Sequence, residues 1–232
     1  MPSLSDGVVQ LRAFAQEDAP ALAAIWRDPV IRARNEVPEP DEDAARGWVA
    51  RVQASVAAGE AWEWAILDAR SGELAGRRAL KAINWDQRRA IAATWVAPWF
   101  RGRRFAARSL RLAAAHAFEN GLVRIHAECE TDNEASLRSM LAAGMRREGT
   151  LRAYFISDRG VPMDLHVLGM LPEDLAGAPP FPLTRAPLHD ALARTEGQDR
   201  REGQERTDRE RRGGRSDRGD GEKGSNRSDR QH

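Results

Sequence analysis

The 232 residues contain one cysteine, one tyrosine and, among 36 basic residues, only two lysines, Lys81 and Lys223. Cys129 alone can form no disulfide within the chain and no cysteine-based metal site, which points to a reducing, cytoplasmic setting. Residues 1–10 lack a basic stretch followed by an apolar core, so no secretory leader is expected. No apolar run approaches the roughly 18 residues of a membrane span. The five histidines (His116, His126, His166, His189 and His232) have no metal-ligand spacing, so no metal is expected. Charge of one sign is also missing. The formal net charge is +1, which argues against a dedicated nucleic-acid binder.

Hydrophobic residues are absent from 194 to 232, and without that stretch their share rises from 41% to about 49%, an ordinary globular value. A segment that buries nothing cannot offset its ordering entropy, so 194–232 is expected to be a disordered mixed-charge tail. The prolines between Pro179 and Pro187 mark 172–193 as an extended connector. The expected folded unit is one domain over 8–171.

Within it, alternation predicts strands at 8–12, 62–67, 74–83, 90–96 and 124–130, with two more flanking 157–160. Helical spacing predicts helices at 16–28, 41–58 (Asp41 as N-cap), 105–119 and 134–143. The order β-α-α-β-β-β-α-β-α-β-β is an α/β domain with a mixed, mostly antiparallel sheet flanked by helices, not a doubly wound fold.

The chemistry concentrates where a strand ending at Val96 runs through Arg101-Gly102-Arg103-Arg104 into a helix beginning Phe105-Ala106-Ala107-Arg108. Unpaired N–H groups at a helix start, a glycine that lets backbone approach a ligand, and several guanidinium groups together suit a pyrophosphate. Read alone, the same pattern also fits an ordinary basic loop.

The order of elements resembles the GNAT superfamily of acetyl-CoA-dependent N-acetyltransferases, especially its RimJ/RimL-type branch, which acetylates protein N-termini. Its Q/R-x-x-G-x-G/A turn reads here as Arg101-Gly102-Arg103-Arg104-Phe105-Ala106. Asn133-Glu134-Ala135-Ser136, followed by Gly144-Met145-Arg146-Arg147-Glu148-Gly149, resembles the branch's N-x-x-S and G-F-x-x-E-G segments. Asp158-Arg159-Gly160 and 164–168 resemble its closing hairpin. The resemblance implies acetyl-CoA as co-substrate, bound by Val96, Arg101, Gly102, Arg103, Arg104, Phe105, Ala106 and Asn133. It implies an oxyanion held by backbone N–H near Val96, Ser136 serving the thiol end, and an amine acceptor such as a protein N-terminus.

Four departures stand out. Arg104 stands at the fourth position, where the pattern has its glycine, which either strains the backbone or brings a guanidinium to the phosphates. Ile91 stands where relatives often carry a glutamate base. Met140 replaces a tyrosine acid. Near Tyr154 and Phe155, where some relatives have a carboxylate, there is none, leaving water or Tyr154 as proton acceptor. A small-molecule amine acceptor, or a CoA-binding or ribosome-associated protein without catalysis, stays open at this point. His126, Glu128 and Glu130 share one strand face, read as a solvated face or a polar site wall. Trp85, Trp95 and Trp99 read as core packing by default or as shaping a substrate cleft.

Overall fold

The computed structural model describes residues 1–157 and 160–178. The expected tail, the connector from 179 onward, and Asp158-Arg159 of the closing turn lie outside the described residues. Among the described residues, eight strands form one sheet: β1 (Leu4–Ser5), β2 (Val9–Arg12), β3 (Trp62–Asp68), β4 (Leu74–Asn84), β5 (Arg89–Val96), β6 (Arg124–Glu130), β7 (Arg146–Ile156) and β8 (Pro162–Met170). The helices are α1 (Ala19–Ile25), α2 (Pro29–Arg34), α3 (Glu42–Ala57), α4 (Phe105–Glu119), α5 (Glu134–Ala143) and α6 (Pro172–Gly177).

The spatial order is β1-β2-β3-β4-β5-β6-β8-β7. Every pairing is antiparallel except β5 with β6. This is the mixed, mostly antiparallel sheet that the element order predicts. Successive side chains of a strand point to opposite faces. Arg77 on β4 lies over the Trp48 ring of α3, while Arg78 bonds to α4, so α3 and α4 cover opposite faces. The core runs through both layers, from Trp26 and Trp64 to Leu110, Ile125 and Leu168.

Two helices depart from the sequence reading. The single helix expected at 16–28 is a 3-10 turn, Gln16–Asp18, followed by α1, and Pro29 starts α2 instead of ending a helix. Proline at the first helical position loses no hydrogen bond, and Asp28 caps the helix by accepting from Ile31 N at 2.9 Å. The first six residues of the expected connector, 172–177, form α6, which packs on α4. Its Asp174 is buried and accepts from Leu171 N at 3.0 Å. As expected, Asp41 caps α3 by accepting from Ala44 N at 2.8 Å.

Gly76 fixes how closely β4 approaches the end of β5. A Cβ there meets the Trp95 carbonyl oxygen and lies 3.1 Å from Val96 Cα. Both are backbone atoms of a paired strand, and neither can rotate away. Gly76→Ala is therefore expected to cost about 1–3 kcal/mol, as overpacking does. Thermal unfolding checks it: an unchanged melting temperature means that β5 gives way without cost.

Candidate active site

β5 and β6 pair over three residues only: Arg89 with Arg124, Ala90 with Ile125 and Ile91 with His126. Beyond them the strands diverge, and a cleft of about 1020 Å³ opens between Ile91–Val96 and Ala127–Glu130. α4 and α5 line it on one side; Arg34, Val37 and Trp48 from the α2 and α3 layer line the other. The volume is at the upper end for small-molecule sites, enough for a long ligand.

The backbone of β5 supplies donors to this gap. Ala97 N donates to Ala75 O at 2.8 Å, so Ala97 faces β4. Peptide direction alternates along a strand, so the N–H of Val96 faces the cleft. Past β5, a 3-10 turn (Pro98–Phe100) leads into Gly102 at φ 77° and Arg104 at φ 63°, ψ 17°. Arg104 is the N-cap of α4 but makes no side-chain cap bond, and the first regular helix bond is Arg108 N to Arg104 O at 2.9 Å. The N–H groups at the start of α4 are thus outside the helix ladder and beside the cleft, an arrangement that suits an anion.

The four arginines of this turn do different things. Arg101 lines the cleft, yet its Nη2 donates to Asp28 Oδ1 at 2.6 Å. Burial on its own favours neutral Asp28, but the bonds from Arg101 and Ile31 N hold its carboxyl below the usual range. Arg103 is not on the cleft wall. Its guanidinium lies 5.2 Å from the centroid of the Phe100 ring. Arg108 is buried and pairs with Asp6 at 2.7 Å, also off the wall. Arg104 lines the cleft in a left-handed conformation, which costs a non-glycine residue about 1 kcal/mol. Arg104→Gly is accordingly expected to raise the unfolding free energy by about that amount, whereas Arg104→Ala keeps the strain. Equal stabilities for the two variants would contradict the strain.

Val96, Gly102, Phe105, Ala106, Asn133 and Ser136 all line the cleft. Asn133 caps α5, its Oδ1 accepting from Ser136 N at 3.2 Å. The N-x-x-S spacing is therefore also a helix cap that fixes Ser136 against the cleft. Buried Cys129 and Met140 complete this wall. Burial pushes the Cys129 thiol up, against the opposing pull of Arg34 and the Ser136 hydroxyl, so it stays protonated at neutral pH.

Tyr154 sits on the edge strand β7, 56% exposed, and is not among the residues lining the cleft, whereas its neighbour Phe155 is. Conversely, Glu128 and Glu130 line the cleft, so their face is a polar site wall. Glu130 is tied to Arg34, which also bonds Asp132 at 3.1 Å. Glu128 makes no hydrogen bond or ion pair among the described residues. His126 lies outside the wall; burial first, then Arg124 and Arg89, push its pKa down, and it is neutral at pH 7. Trp95 is buried as expected, but Trp85 and Trp99 are about half exposed. Among the described residues, no cluster of three metal-binding side chains occurs.

An N-acetyltransferase of Bacillus licheniformis, named uncharacterized N-acetyltransferase p20, is 26% identical over 179 residues, which cover 76% of this chain and all of the relative. Mycobacterium smegmatis RimJ in complex with CoA-disulfide superposes with a TM-score of 0.67 at 23% identity, over 76% of this chain and 89% of that one. RimL, a ribosomal L7/L12 alpha-N-protein acetyltransferase in complex with coenzyme A, gives a TM-score of 0.64 at 20% identity, over 71% of this chain and 94% of that one. Those two likenesses speak for the fold. The family described as "Acetyltransferase (GNAT) domain" matches residues 9–146, more than half of the chain. With the divergent β5–β6 pair and the open start of α4, this match establishes that the chain belongs to the GNAT acetyltransferase family and is an acetyltransferase.

Proposed function

We propose that the protein transfers the acetyl group of acetyl-CoA to a primary amine, in the first place the α-amine of a protein or peptide. The observation that carries this reading is the cleft between β5 and β6 meeting the start of α4. A pyrophosphate at Gly102–Ala106 and an extended pantetheine arm along β5 fit one continuous channel. The amine attacks the thioester carbon, and the tetrahedral oxyanion accepts from the Val96 N–H, a fixed donor that needs no reorganisation. The nitrogen's surplus proton passes to a carboxylate or water in the cleft. The carbonyl re-forms as the C–S bond breaks, Ser136 donates a hydrogen bond to the departing sulfur, and Asn133 steadies the arm. Holding both substrates in one cleft supplies much of the acceleration.

An α-amine is favoured on proton arithmetic. With reference pKa values near 7.8 and 10.4, about one α-amine in ten is neutral at pH 7, against about one lysine in a few thousand. The fold likeness to RimJ and RimL supports a protein acceptor. The test is a peptide pair: one with a free α-amine and no lysine, the other N-blocked with an internal lysine. Thiol release is expected to be faster with the first. Faster acetylation of the blocked peptide overturns the acceptor, and no release with any amine overturns catalysis.

A further inference from the structure

Beneath the first turn of α4 lies a buried cation that belongs to none of the motifs in the sequence. Arg78, on β4, is 3% exposed and forms part of the cleft wall. Its Nη2 donates to Ala106 O at 2.7 Å and to Ser109 Oγ at 3.1 Å; Nε donates to Ser109 Oγ at 3.3 Å and Nη1 to Ala93 O at 3.3 Å. All these acceptors are neutral. No carboxylate among the described residues pairs with Arg78, whereas the adjacent Arg77 donates to Glu63 at 2.6 Å. Burial, with a further contribution from Arg77, lowers the guanidinium pKa to about 9, which leaves it charged at neutral pH.

A buried charge without a counter-ion is costly, and hydrogen bonds to neutral oxygens offset only part of that cost. This charge sits under the helix start, where an anion fits. Its strongest bond is to the carbonyl of Ala106, and that peptide's other end is the Ala107 N–H, one of the first-turn donors outside the helix ladder. A cation on the carbonyl polarises the peptide and makes its N–H a better donor. The same side chain links β4, the β5 carbonyl of Ala93 and α4, so it also sets the height of the helix start over the cleft.

We propose that Arg78 is a positioning residue for the cofactor's pyrophosphate: a fixed charge under the turn whose counter-ion is the bound diphosphate. This rests on the acetyl-CoA reading above. It assigns the decisive positive charge to a residue on β4, outside the basic turn.

The test is titration of the full chain by tryptophan fluorescence, with Trp95 in the cleft wall as reporter, using two thioesters. Acetyl-CoA carries the pyrophosphate and S-acetylpantetheine does not. For Arg78→Met, acetyl-CoA affinity is expected to fall about tenfold or more, with S-acetylpantetheine affinity within about twofold of wild type. Arg78→Lys, which restores a charge, is expected to recover most of the loss. Equal weakening of both ligands, or of neither, overturns the proposal. Ser109→Ala covers the case of a misfolded methionine variant: it removes two of the four bonds and keeps the charge. Its acetyl-CoA affinity is expected to stay within about threefold of wild type, and a loss as large as that expected for the methionine variant overturns the charge-based role. If the wild-type protein binds neither thioester, the cofactor reading itself fails, a result distinct from any failure of Arg78.

Discussion

Gly102→Pro is expected to lower acetyl-CoA affinity by about a hundredfold or more while leaving the fold intact. Gly102 has φ 77°, and proline is held near −65°, so the turn cannot keep its course. Proline also removes an N–H from the group of donors at the start of α4. Alanine separates the two effects. A Cβ at Gly102 meets nothing within 4 Å, so Gly102→Ala carries only the left-handed penalty of about 1 kcal/mol, near a fivefold effect. Arg104 already carries a similar penalty two residues on, so the turn has little further tolerance. Calorimetric titration with acetyl-CoA, alongside circular dichroism, reads the series. A Gly102→Pro protein with native spectrum and unchanged affinity removes the pyrophosphate from this turn.

The parts of this site that are local in sequence are legible from the residues alone. Strand, basic turn and helix follow one another between Arg89 and Glu119, and hydrophobic alternation marks the strand as helical spacing marks the helix. The N-x-x-S segment is equally local, because Asn133 and Ser136 are one helix cap apart. What stays hidden in the sequence is set by pairing at a distance. Three paired residues, then divergence, make the cleft, and no periodicity in β5 or β6 encodes where pairing stops. The insertion of β8 between β6 and β7 puts Tyr154 on an outer strand, although its spacing from the other motifs suggests proximity. Arg78 reads in sequence as one more charged residue beside Arg77; only the sheet shows that alternation sends Arg77 to Trp48 and Arg78 under α4. The unexpected α2 has a different cause. Pro29 has the local pattern of a helix stop, yet proline serves equally well at a helix start when an aspartate precedes it.

Glu128→Gln is expected to reduce kcat for an α-amine peptide by about a hundredfold at pH 7, within the usual range for loss of a general base. The argument is by position and by elimination within the cleft. Ile91 and Met140 carry no proton-accepting group, and Tyr154 lies off the wall. Glu130 is engaged by Arg34, and Cys129 is buried and protonated. Glu128 lines the cleft across from β5, makes no bond to another described residue, and is exposed enough to meet an incoming ammonium group. Glutamine keeps the shape and a hydrogen-bond acceptor but cannot take the proton. Because Glu128 lies on β6 and not in the turn leading into α4, acetyl-CoA affinity is expected to be unchanged. The pH profile gives the sharper reading. The amine deprotonates on its own as pH rises through about 7.8, so the deficit of the glutamine variant is expected to shrink steadily between pH 7 and 9. A variant with wild-type kcat at pH 7 removes Glu128 from the reaction, and a deficit constant across that pH range means its role is to bind the acceptor and not to accept its proton.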